Sequence, residues 1–149
     1  MMTPRFRYFI LTVFLSLGLI YGCSPSADSN LDLTSESYDD LGIIEQAFKN
    51  HQSNLFVSSS GIIKWILDDD LKPPRHQRFI VRLENNQTLL VLNNIDIAPR
   101  IEDLRVGDMI YFRGEYVWND KGGMVHWTHR DPSGRSIGGW IKYNGKIYR

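Results

Sequence analysis

His126 and His129 lie three positions apart in a stretch that also carries Trp127, Asp131 and Trp140. Imidazoles that titrate near neutral pH serve as metal ligands or as general acids and bases, and a zinc site would recruit a third protein ligand, for which Asp131 and His76 are the available types. Strand geometry tests this pairing. Residues three apart on a strand point to opposite faces, so His126 and His129 share an ion only if the strand ends near Thr128. An ending there is plausible, because Asp131-Pro132-Ser133-Gly134 fits a type I turn, with Asp first, Pro second and Gly fourth. The spacing matches no zinc motif, so the reading preferred here is that the histidines hydrogen-bond and pack around Trp127 and Trp140. No cofactor is expected. A divalent metal on His76, His126, His129 and Asp131 is the alternative, and it would make the chain a metal-dependent, nuclease-like hydrolase.

A second constellation is basic. His76, Arg78 and Arg82 share one outward face of a strand if that strand is regular. With Trp127, His129, Arg130, Asp131 and Trp140 they make a candidate surface for an anionic or glycan-type ligand, the aromatics offering faces for stacking. Nucleic acid remains a further candidate partner. Asp68-Asp69-Asp70 offers hard oxygens but lacks the glycine and glutamate spacing of a calcium loop and is read as a solvated turn. Nucleophilic hydrolysis has little support: no Gly-x-Ser-x-Gly elbow occurs, and the lone cysteine, Cys23, has another use. The segment Asn94 to Pro99 looks like the acidic turn of thermonuclease-like enzymes, but Leu89 to Asn93 carries no arginine where those enzymes place a catalytic one.

These groups need elements to position them. Ser37 to Asn50 predicts an amphipathic helix, with Ser37 as cap and Leu41, Ile44, Ala47, Phe48 and His51 on one face. Strands follow at Ile62 to Leu67, around Phe79, Val81 and Leu83, and at Thr88 to Leu92, the last read as wholly buried. Pro99 opens a short helix carrying Ile101 and Leu104. Ile110, Phe112, Gly114 and Tyr116 then mark one face of a long strand, and Met124 to Thr128 forms the next. The expected fold is mainly β: a small OB-like five-stranded barrel with an N-terminal helix, a short helix between strands 3 and 4, and a C-terminal hairpin around Asn144-Gly145.

The first twenty-two residues read as an export signal, with Arg5 and Arg7 before an apolar run too short for a membrane span. Leu19 to Cys23 resembles a bacterial lipobox. Cys23 would then be lipid-modified and anchor the protein to a membrane, and Ser24 after it points to an outer-membrane lipoprotein of the bacterial envelope facing the periplasm. Residues 23–36 are a polar tether, and residues 37–149 are long enough for one domain. The chain is neutral overall, yet Cys23 to Asp70 is acidic and Leu71 to Arg149 basic, which favours an anionic partner for the domain. The sequence leaves the oligomeric state open. A structural envelope protein that binds another protein is the third functional class considered.

Arg75 to Val81, Asn94-Ile95-Asp96, Gly114-Glu115-Tyr116 and above all His126 to Pro132 with Gly139-Trp140 and Gly145-Lys146 resemble a bacterial family, domain of unknown function 3465, over about residues 61–149. The resemblance implies a small exported domain and brings no catalytic residues with it. Where that family often has further histidines, this chain has Ser136 and Tyr143.

Overall fold

The computed structural model describes residues 39–149. Ser37, Cys23, the export signal and the tether lie outside them. The elements are α1 (Leu41–Lys49), β1 (Leu55–Asp70), β2 (His76–Arg82), β3 (Thr88–Asn94), β4 (Met109–Val117), β5 (Met124–His126), β6 (Trp140–Tyr143) and β7 (Lys146–Tyr148). No helix among the described residues is long and apolar enough to cross a membrane.

The sheet closes because β1 has two partners. Its first half, from Leu55, lies against β4, and from Ile62 onward it pairs with β2. The order β1-β2-β3-β5-β4, with β4 returning to β1, makes a ring of five strands, the strand order of an OB-type fold. All contacts in the ring are antiparallel except β3 with β5. The β6–β7 hairpin is added outside the ring, where β6 takes the length of β4 from Tyr111 to Arg113 that β5 leaves free.

Alternation decides what lies inside. On β4, Ile110, Phe112, Gly114 and Tyr116 are buried; on β2, Gln77, Phe79 and Val81; on β3, Leu89, Val91 and Asn93. Each large apolar side chain removed from water in this way contributes about 1.5–3 kcal/mol. α1 closes one end by burying Ile44 and Ala47, while its Phe48 carbonyl accepts the Trp118 Nε1 hydrogen bond at 3.1 Å. Every member of the core cluster falls within the compact unit Leu33–Arg149, so this unit carries its own core.

Six expectations need correction. Asp68 to Asp70, expected as a solvated turn, are the last residues of β1, where Asp69 pairs with Arg100. Asp39 and Asp40, expected in the first helical turn, precede α1, and the Asp40 carboxylate instead accepts the Ser58 N–H at 2.7 Å. β1 runs 16 residues, beginning well before Ile62, because Ser58 to Gly61, which have little apolar pattern, are held by β4. β3 is not wholly buried: Leu90 and Leu92 face outward and are only half-covered. β5 ends at His126 rather than Thr128, since Trp127 adopts a φ of 54° that no strand accommodates. The short helix after Pro99 is replaced by turns. Its backbone groups are claimed from inside the ring: buried Gln77 accepts from the Ile101 N–H and donates to the Ile101 carbonyl, and Asn93 donates to the Pro99 carbonyl. Two side chains thus supply what an i to i−4 ladder would have supplied.

Candidate functional site

Residues 127–139 form a rim loop between β5 and β6, and its polar groups are largely spent on itself. The Asp131 carboxylate accepts the Ser133, Arg135 and Ser136 N–H groups and the Ser133 and Ser136 hydroxyls. These hydrogen bonds, Ser133's foremost, stabilise the carboxylate and lower its pKa to about 2, well below the usual carboxylate value. Thr128 is buried and donates from Oγ1 to the Leu92 carbonyl at 2.8 Å, tying the loop to β3. His129 is only 4% exposed, with Nδ1 2.8 Å from the Arg130 carbonyl and its ring tilted against Trp127. The loop returns over Gly138 and Gly139. A Cβ on Gly139 would run into the Trp127 and Arg113 carbonyl oxygens, so only glycine allows the close approach. Trp140 is buried in β6, opposite Arg113. Arg130 is exposed, and it faces Asp96 and Ile97 across an open cleft of about 650 Å³ that Asp131 to Gly134 also line.

The outer face of β2 is the opposite case. His76, Arg78, Ile80 and Arg82 all point outward while Gln77, Phe79 and Val81 point in. Among the described residues Arg78 and Arg82 make no ion pair: each donates one hydrogen bond to a neutral oxygen, the Asp68 carbonyl and Asn86 Oδ1 respectively. Neighbouring arginines are engaged differently, Arg75 with Asp96 and Arg100 with Asp69 and Glu102. Asp96, the acidic residue of the nuclease-like turn, thereby holds the Arg75 N–H and Nε.

His126 lies on this outer surface, facing Glu115 across the β4–β5 pair. Its Nε2 is 3.8 Å from Glu115 Oε1, beyond hydrogen-bond reach, and has no hydrogen-bond partner. Burial lowers the imidazole's basicity more than Glu115 raises it, and the nearby His76 and His129 lower it further. Burial thus favours the neutral imidazole over an ion pair with Glu115. Arg113, two positions from Glu115, donates from Nη1 to Ser58 Oγ and sits over the Phe56 ring at 5.0 Å.

Of the residues singled out in sequence, the structure places His76, Arg78 and Arg82 on one face, as expected. It places His129, Asp131 and Trp140 in the framework of the rim loop and its following strand. Trp127, 43% exposed, is the loop's outward aromatic. A bulky side chain at positive φ is unusual and marks a backbone the surroundings impose. His76, His126, His129 and Asp131 do not assemble into a ligand set: among the described residues no group of three or more His, Cys, Asp or Glu is placed to hold a metal ion. Strand alternation through Arg78-Phe79-Ile80-Val81-Arg82 puts Ile80 outward beside the arginines, and register sets Trp65, Leu90 and Met124, which the sequence reading did not single out, on the same face.

A family model described as protein of unknown function (DUF3465) matches residues 29–149, starting well upstream of Gly61. No curated protein matches the chain.

Proposed function

The chain belongs to the DUF3465 family of proteins of unknown function, and on that footing we propose that it is a binding module of the bacterial envelope for an anionic or glycan-type ligand. The observation that carries this reading is the pair Arg78 and Arg82, two cations on the outer face of β2 without a carboxylate partner among the described residues. In OB-type folds the surface around strands 2 and 3 is a recurrent place for oligosaccharides and oligonucleotides. His76 lies on the same outward face of β2, and Trp127 supplies an exposed ring for stacking. Lipid attachment at Cys23 and an outer-membrane, periplasm-facing location complete the proposal, supported by the lipobox-like Leu19 to Cys23.

Two experiments test it. The unit from Leu33 to Arg149 is screened against anionic glycans, neutral glycans and single-stranded oligonucleotides, with Arg78→Ala and Trp127→Ala beside it. Hits that weaken in both variants support the binding face, and hits indifferent to both substitutions remove it. For the anchor, labelled fatty acid should enter the full chain and fail to enter Cys23→Ser. Equal labelling of both would end the lipoprotein reading.

A further inference from the structure

The outer face beside Arg78 and Arg82 is not a polar surface. Register places Trp65 opposite Ile80, Ile80 opposite Leu90, and Leu90 opposite Met124. These four side chains therefore form one row across β1, β2, β3 and β5, on the side of the sheet away from the core. Solvent-facing strand positions normally alternate to polar residues; this row has none. At strand spacings of about 4.8 Å it runs about 14 Å. Trp65, 53% exposed, stands at one end, and Ile80, Leu90 and Met124 are half-buried.

Arg78 and Arg82 flank Ile80 on the same strand and the same face, one on each side of the row. A half-covered apolar strip between two cations that lack a carboxylate suits a ligand that is apolar along its length and negatively charged at its end. A neutral glycan would leave the strip unused, and a simple anion would leave it wet. We infer that the ligand of this face is a single-chain anionic amphiphile, its alkyl chain laid along Trp65, Ile80, Leu90 and Met124 and its anionic head held by Arg78 or Arg82. This rests on the binding-module reading and narrows its ligand class. Leu67 and Leu92 share this face on either side of Arg78, so the apolar surface reaches that arginine, and the two flanking cations suit one anionic head.

The test is a titration of the Leu33 to Arg149 unit with dodecyl phosphate below its micelle concentration, followed by tryptophan emission. Inorganic phosphate and dodecyl maltoside are the arms that remove the chain and the charge. Dodecyl phosphate should bind with a blue shift that is lost in Trp65→Phe, and each comparison probe should bind at least about tenfold more weakly: inorganic phosphate because each methylene placed on apolar surface strengthens binding severalfold, dodecyl maltoside because its head offers the arginines no charge. Leu90→Asn and Met124→Gln, two independent outward substitutions, should weaken dodecyl phosphate by about tenfold when titrated well below each variant's own melting temperature, and so should Arg78→Ala with Arg82→Ala. Inorganic phosphate binding as tightly as dodecyl phosphate would overturn the amphiphile while leaving an anion-binding module intact. Dodecyl maltoside binding as tightly would overturn the role of the arginines. Capture by anionic phospholipid vesicles without binding of the free amphiphile, or a dimer abolished by Leu90→Asn, would reassign the strip to a bilayer or to a second copy. If no probe binds and the glycan and oligonucleotide screen is also blank, the binding-module reading falls with it.

Discussion

The rim loop and the outer face of β2 both carry histidine and arginine with an acid nearby in the sequence. Folding uses them in opposite ways. In the loop, Asp131 gathers five donor groups from three residues, Thr128 reaches across to Leu92, and Gly138-Gly139 are pressed onto backbone. On β2 the charged groups are left with one neutral partner each, beside apolar side chains that face water. Richness in functional residue types therefore does not identify a site. What separates the two regions is whether the polar groups are already satisfied.

If that contrast is right, substitutions in the loop should cost stability and substitutions on the face should cost none. Gly139→Ala has the largest expected effect. Its Cβ meets two carbonyl oxygens in a backbone that cannot move without separating β6 from β4, so denaturant unfolding should show a loss of about 3 kcal/mol. Thr128→Val comes next: it keeps the shape but strands the Leu92 carbonyl, for an expected loss of about 1–2 kcal/mol in the same measurement. Smaller and pH-bound is the contribution of Asp131. Its folded acidity lies at about 2 against an ordinary 3.8, so its stabilisation is present in full above the ordinary value and drains away as pH falls towards the folded one. Amide exchange at Ser133, Arg135 and Ser136 should accelerate across that window in the native chain. In Asp131→Asn the same amides should already exchange fast at pH 6. The smallest effect belongs to the face, where Arg78→Ala and Arg82→Ala together should shift unfolding by no more than about 0.5 kcal/mol.

Much of the fold was legible because inward positions carry a clean alternation. Ile110, Phe112 and Tyr116, or Phe79 and Val81, can be assigned from period alone. The OB-like order followed from the succession of strands and turns. Three features were hidden for physical reasons. The first half of β1 is Ser58-Ser59-Ser60-Gly61, whose strand state comes from pairing with β4 rather than from its own apolar pattern. The turns after Pro99 depend on Gln77 and Asn93, residues far upstream whose inward amides replace a helix. The apolar row is built from one residue on each of four strands, so no local window contains it. The site followed the same rule: the basic edge His76-Arg78-Arg82 was visible as an alternation on one strand, whereas the fate of Asp131 depended on which groups its loop would bring to it.

On the proposed reading the β2 face and Trp127 bind, and the rest of the rim loop supports. Amide chemical-shift mapping of the Leu33 to Arg149 unit, titrated with a sulfated hexasaccharide and separately with dodecyl phosphate, tests it most directly. The perturbed amides should centre on β2 and β3, around Arg78, Ile80, Arg82 and Leu90, and the perturbations should disappear in the Arg78→Ala/Arg82→Ala double variant while its melting curve stays in place. Perturbations centred on residues 130–137 and untouched by the double variant would contradict it.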